Sequence, residues 1–156
     1  MKLLFLGGTV FLGRHIVEAA LARGHEITLF NRGQRNPDLF PNVEKVRGDR
    51  NGDLAALQGR RWDAAIDTSG YVPRIVGASA RLLADAVDHY TFISSISVYS
   101  DFSRPGVDES APVGTMEDET VEEITATTYG PLKALCEQAA QQAMPGRVLI
   151  IRPGYI

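Results

Sequence analysis

Lys2-Leu3-Leu4-Phe5-Leu6-Gly7-Gly8-Thr9-Val10-Phe11-Leu12-Gly13 opens the chain and decides its architecture. Residues 2–6 read as a short buried strand, apolar after the lysine and stopped by two glycines. Residues 13–23 carry helical spacing, with Ile16, Val17, Ala20 and Leu21 on one face and Gly24 suited to the helix end. A strand, a glycine-rich turn and a helix in that order form a phosphate-binding unit. The first glycine permits the tight turn and the last lets the helix pack close on the strand. Backbone N–H groups at the helix start, aided by its dipole, then meet the anion. Gly7, Gly8, Thr9, Val10, Phe11, Leu12 and Gly13 are the candidate contacts. Val10 stands where a middle glycine would bring the backbone nearest a pyrophosphate, so either the turn shifts slightly or affinity falls.

Outward from this unit, apolar runs alternate with helical patterns. Residues 26–30 and 43–47 read as strands, 53–57 as a short helical piece, and 64–67 as a fourth strand. Pro73 opens a helix to residue 87. Residues 90–94 form a fifth strand, 129–143 a helix and 147–152 a sixth strand. Strands apolar throughout and separated by helices predict an α/β fold: a parallel sheet with helices on both faces. Right-handed crossovers give the doubly wound order 3-2-1-4-5-6. Residues 100–127 form a polar stretch too long for an ordinary connection, with an acidic run over 117–123 that reads as a solvated face.

The bulk composition narrows the function classes. A chain of 156 residues is one domain, and 44% hydrophobic with 22% charged residues is ordinary for a soluble globular protein. A net charge of −3 argues against nucleic acid as a partner. The single cysteine, Cys136, excludes an internal disulfide and fits a reducing, cytoplasmic setting. The apolar run at residues 3–6 is too short for a signal peptide, and no stretch has the length of a membrane span. His15, His25 and His89 are dispersed, so no metal site is expected. Trp62 reads as packing and Cys136 as a buried inert thiol.

Two constellations carry chemistry. After the second strand comes Asn31-Arg32-Gly33-Gln34-Arg35, with no acid to hold a ribose 2′-hydroxyl and two arginines suited to a 2′-phosphate. The expected cofactor is therefore NADP in preference to NAD, with Asn31, Arg32 and Arg35 in its site. The fifth strand ends in Ser94-Ser95-Ile96-Ser97-Val98-Tyr99, and the helix at 129 begins Tyr129-Gly130-Pro131-Leu132-Lys133. Tyr129 and Lys133 share one helical face, where the ammonium favours the phenolate and equips it for proton transfer. Ser95 is placed to hold a substrate oxygen.

With Gly-Gly-Thr-x-Phe-Leu-Gly at the start, Gly48-Asp49, Ser-Ser-x-x-Val-Tyr, Tyr-x-x-x-Lys and Arg152-Pro153-Gly154, the chain resembles the NAD-dependent epimerase/dehydratase family. That family belongs to the extended short-chain dehydrogenase/reductase superfamily, and the likeness is to its N-terminal Rossmann domain. The resemblance implies that Ser95, Tyr129 and Lys133 are the catalytic trio, with Lys133 on the nicotinamide ribose. It places Asp49, with Arg50, by the adenine, and Thr68, Ser69 and Gly70, with Ser94, along the cofactor's middle. It implies hydride chemistry on a sugar-nucleotide-like or other secondary alcohol or carbonyl. A homodimer through the helices beginning near Pro73 and Tyr129 is also implied. Because relatives continue into a smaller substrate domain, residues 1–156 are expected to be a fragment or truncated form lacking it. The other reading is a catalytically inactive dinucleotide- or RNA-binding protein of the same fold. The intact trio favours the enzyme and the acidic balance disfavours RNA.

Overall fold

Side chains alternate across a strand, so each apolar strand here feeds two cores. In the computed structural model, which describes residues 1–155, the strands are β1 (Lys2–Leu6), β2 (Glu26–Asn31), β3 (Glu44–Arg47), β4 (Ala64–Asp67), β5 (His89–Ile93) and β6 (Val148–Ile151). All pair in parallel, in the order β3-β2-β1-β4-β5-β6, as the doubly wound reading expects. The helices are α1 (Phe11–Ala22), α2 (Pro73–Leu83) and α3 (Tyr129–Ala143).

Leu4 and Leu6 of β1 join Phe30, Ala65, Tyr90 and Phe92 on the face that α2 and α3 cover with Val76, Leu83, Cys136 and Ala140. Leu3 and Phe5 join Ile27 and Leu29 on the opposite face, under Val17 and Ala20 of α1. Each such fully buried side chain contributes about 1.5–3 kcal/mol. Trp62 is a core residue whose indole N–H donates to the Thr28 hydroxyl at 3.0 Å. Among the described residues no helix is long and apolar enough to cross a membrane.

Several boundaries differ from the sequence reading, β2 ending at Asn31, β3 starting at Glu44 and β5 covering His89–Ile93. Helix α1 begins at Phe11, two residues early, and Phe11 takes a φ of +30°, which side chains seldom adopt. Helix α2 stops at Leu83 rather than residue 87 because the next residues turn inward. The Ala86 and Val87 N–H groups both bond the Leu83 carbonyl, and Trp62 N–H takes the Ala86 carbonyl at 2.9 Å. The sixth strand is trimmed to Val148–Ile151. The stretch over 100–127 folds back on the domain. Tyr99 and Val113 form an antiparallel bridge, and Glu122 grips Arg74 of α2 through two bonds of 2.6 and 2.9 Å.

Candidate functional site

The turn after β1 is built on backbone that only glycine adopts freely. Gly7 and Gly8 have φ of +105° and +87°. A Cβ on Gly7 would stand 2.6 Å from the Thr68 hydroxyl, and one on Gly13 would stand 3.0 Å from the Gly8 Cα. The chain therefore needs small residues both for the turn and for seating α1 against it. Thr68 ties the turn to β4: its hydroxyl donates to the Leu6 carbonyl at 3.1 Å and accepts from Gly8 N–H at 3.2 Å. Val10 caps α1 with no side-chain bond, and the first helical turn holds no acid. The N–H groups at the helix start thus face an anion without a competing carboxylate. These features fit a bound diphosphate.

Around this turn the loops at the carboxyl ends of β1 to β4 enclose a cleft of about 440 Å³, at the point where strand order reverses. Gly7, Thr9 and Val10 line it after β1; Asn31, Arg32 and Arg35 after β2; Asp49 and Arg50 after β3; Ser69 and Tyr71 after β4. Gly8, Phe11, Leu12, Gly13, Thr68 and Gly70 are not on its wall. The Phe11 ring instead meets His15 edge-on at 5.9 Å. Two asparagines fix the cleft's outer lip: Asn31 donates to the Gly7 carbonyl at 3.2 Å and Asn36 to the Thr9 carbonyl at 2.8 Å. Arg32 and Arg35 are exposed, and neither has a carboxylate partner among the described residues. Asp49 is exposed and accepts from Asn51 N–H at 2.9 Å, closing its own turn.

Arg50 is held from behind. Its guanidinium grips Asp67 through two bonds of 2.7 Å and also reaches Ser69 and Ser79. Asp67 is fully buried, and it further accepts from the Tyr90 hydroxyl at 2.8 Å and Ser69 N–H at 3.0 Å. Burial pushes the Tyr90 phenol well up, with the Asp67 charge adding to the effect, so Tyr90 stays a donor. One surface of Arg50 faces the cleft while its charge is spent on Asp67. The turn at 68–70 is positioned by that carboxylate.

The third group lies at the end of β5. Ser95 caps a single 3-10 turn (Ile96–Val98), accepting from Ser97 N–H and donating to the Ser97 hydroxyl, both at 3.1 Å. The Ser94 hydroxyl is buried and has no hydrogen-bond partner among the described residues. On α3, Lys133 is 3% exposed and its ammonium donates at 2.7 Å to the carbonyls of Gly70 and Ile93. A lysine ammonium has three N–H donors, so one is left over. The Phe92 ring lies 4.2 Å from this nitrogen and the Tyr71 ring 5.3 Å. Tyr71 also stands 6.4 Å, ring to ring, from the half-buried Tyr129.

Burial lowers the Lys133 ammonium from 10.5 to about 8, with Asp67 pulling the other way. Below that value the folded chain carries a charge that burial disfavours. Between about 8 and 10.5 the folded lysine is neutral while the unfolded one is still protonated, so stability rises with pH. The full rise corresponds to about 3 kcal/mol. Urea unfolding at about pH 7 and about pH 10 is expected to show this gain in the unaltered chain relative to Lys133→Met, over the loss that the raised Cys136 thiol gives both. An equal gain in both would assign it elsewhere.

The sequence-derived set is thus split between two neighbouring places. The cleft gathers the turn, Arg32, Arg35, Asp49, Arg50 and Ser69. Lys133 reaches the Gly70 carbonyl after β4 and the Ile93 carbonyl at the end of β5, and with Ser94, Ser95 and Tyr129 it lies outside the cleft wall. Tyr71 and Asp67 join the two places and were not singled out from the sequence. An acid ending an apolar strand was the available signal for Asp67. Cys136 is buried, and burial pushes its thiol up to about 12, in keeping with an inert role. Among the described residues no three His, Cys, Asp or Glu side chains gather to share a metal ion.

No family model matches the chain. It is 42% identical over 45 residues to the bifunctional pinoresinol-lariciresinol reductase of Forsythia intermedia, covering 29% of this chain and 13% of that protein. Among solved structures it resembles the UDP-Glc/GlcNAc 4-epimerase of Campylobacter jejuni, at TM-score 0.75, 18% identity and 97% coverage of this chain. It also resembles the WbmG enzyme of Bordetella bronchiseptica in complex with NAD, at TM-score 0.77 and 17% identity over 97% of the chain. Vestitone reductase from alfalfa is similar at TM-score 0.73 and 19% identity, again over 97% of the chain. The chain spans about half of these solved chains, 52%, 52% and 56% of their lengths respectively. At these identities the likeness establishes the Rossmann-type fold.

Proposed function

We propose that this chain is the dinucleotide-binding part of an NAD(P)-dependent epimerase, dehydratase or reductase acting on a secondary alcohol or carbonyl, of the sugar-nucleotide kind or similar. The observation that carries this reading is the cleft at the strand-order reversal, with the glycine turn on one side and Tyr129 and Lys133 just beyond its far end. The proteins named above include a 4-epimerase, an enzyme in complex with NAD and two reductases, which supports the general kind of chemistry.

When bound, a nicotinamide would supply hydride acceptance and return. The protein's own residues handle the proton and the geometry. Tyr129 exchanges a proton with the substrate oxygen, and Ser95 turns its hydroxyl from Ser97 to that same oxygen. Lys133, fixed by two carbonyls, would have its remaining N–H for the nicotinamide ribose and would supply positive charge to the Tyr129 end of the site. On the turn that Gly7 and Gly8 shape, Thr9 and the start of α1 would hold the diphosphate, and Asp49 would meet the adenine.

The free charge of Arg32 and Arg35 on the cleft wall supports NADP over NAD. Titration of the chain, followed by nicotinamide fluorescence, is expected to give saturable binding of both forms, tighter for NADPH. Replacing both arginines by alanine is expected to weaken NADPH about ten- to a hundredfold and NADH by less than about twofold. Tighter binding of NADH by the unaltered chain overturns the NADP preference. No binding of either form overturns the functional reading.

A further inference from the structure

Tyr71 belongs to both halves of the site. It lines the cleft between the β1 turn and Arg35, and it stands 6.4 Å from the Tyr129 ring and 5.3 Å from the Lys133 ammonium. It is 45% exposed, so one edge packs inward while the other meets whatever fills the cleft. With Phe92 on another side at 4.2 Å, its ring screens Lys133 from water. A dinucleotide that reaches from the arginines to Tyr129 has to pass this residue.

We propose that Tyr71 is a cofactor-binding residue that joins the two halves of the site, its phenol donating to the dinucleotide between the adenosine cleft and Tyr129. This rests on the dinucleotide reading above. Burial raises the Tyr71 phenol, Tyr129 and Asp67 raise it further, and the Arg35 charge acts in the opposite sense. It is therefore a neutral O–H donor at ordinary pH, matched to an anionic or hydroxyl oxygen. Its contact lies beyond the adenosine, so it adds affinity for the whole dinucleotide and none for the adenosine half alone.

That difference is the test. The unaltered chain, Tyr71→Phe and Tyr71→Ala are each titrated with NADPH and with 2′,5′-ADP, which carries only the adenosine half. Tyr71→Phe keeps the ring and is expected to bind NADPH about three- to tenfold more weakly, and Tyr71→Ala still more weakly. All three are expected to bind 2′,5′-ADP within about twofold of one another. NADPH affinity unchanged in Tyr71→Ala, with the unaltered chain binding well, overturns the role of Tyr71 and leaves the dinucleotide reading intact. Equal loss of NADPH and 2′,5′-ADP in Tyr71→Phe also overturns it, because the hydroxyl would then be shaping the cleft. No binding of NADPH or NADH by the unaltered chain overturns both.

Discussion

Asp67→Ala is expected to lose about 3–5 kcal/mol of folding stability, the largest effect of any single polar substitution in the domain. The carboxylate is fully buried and takes four bonds: two from Arg50, one from the Tyr90 hydroxyl and one from Ser69 N–H. Alanine leaves all four donors facing a hole. The most costly is Arg50, whose side chain is only 11% exposed and whose charge has no second acid among its bonded partners. A domain of this size is stable by about 5–15 kcal/mol in total, so the variant is brought near its unfolding threshold. Removing the orphaned charge as well should recover part of the loss. The double variant Asp67→Ala with Arg50→Met is therefore expected to be more stable than Asp67→Ala alone. Urea midpoints of the three chains measure this. A loss below about 1 kcal/mol in Asp67→Ala would show that water or movement satisfies the donors instead.

This pair also marks the limit of what the sequence discloses. The alternation of strands and helices was legible because periodicity is a local signal. The glycine turn was legible because the backbone conformation at Gly7 and Gly8 constrains those positions themselves. Tyr129 and Lys133 could be linked because four residues along a helix form one face. Arg50 and Asp67 are 17 residues apart and meet only because β4 is threaded beside β1, bringing its end under the loop after β3. The sequence marks Asp67 as the end of an apolar run but does not say what it holds. Arg152 has a similar history. In the sequence it is part of Arg-Pro-Gly, yet its guanidinium grips the buried Glu137 of α3 at 2.6 and 3.0 Å and lies 4.9 Å from the Tyr99 ring. It fastens the end of β6 to the helix that carries Tyr129. Tyr71 was passed over because its neighbours, Tyr129 and Lys133, come from another element. The end of α2 is hidden in the sequence because apolar Ala86 and Val87 continue the helical pattern while their backbone has already turned toward β5.

Gly130 lies on α3, and Gly130→Ala is expected to cost about 3 kcal/mol and to disturb the Ser95 and Tyr129 turns selectively. Its Cβ would stand 2.1 Å from the Ser97 carbonyl oxygen and 3.1 Å from the carbonyl carbon. Both partners are backbone, so no rotamer change relieves the clash. Either the first turn of α3 or the turn at Ile96–Val98 must move by about 1 Å, and each carries one of the residues concerned, Tyr129 or Ser95. Helix propensity alone predicts the reverse, since alanine is favoured over glycine inside a helix by about 1 kcal/mol. Gly77 of α2 supplies the contrast: a Cβ there meets the flexible end of Arg81 at 3.0 Å, and Gly77→Ala is expected to be neutral or stabilising. Opposite signs for one substitution in two neighbouring helices isolate the contact from the propensity. Binding of 2′,5′-ADP to Gly130→Ala should stay within about twofold of the unaltered chain, because the adenosine cleft is formed by other loops. If Gly130→Ala is as stable as Gly77→Ala, α3 does not press on the serine turn.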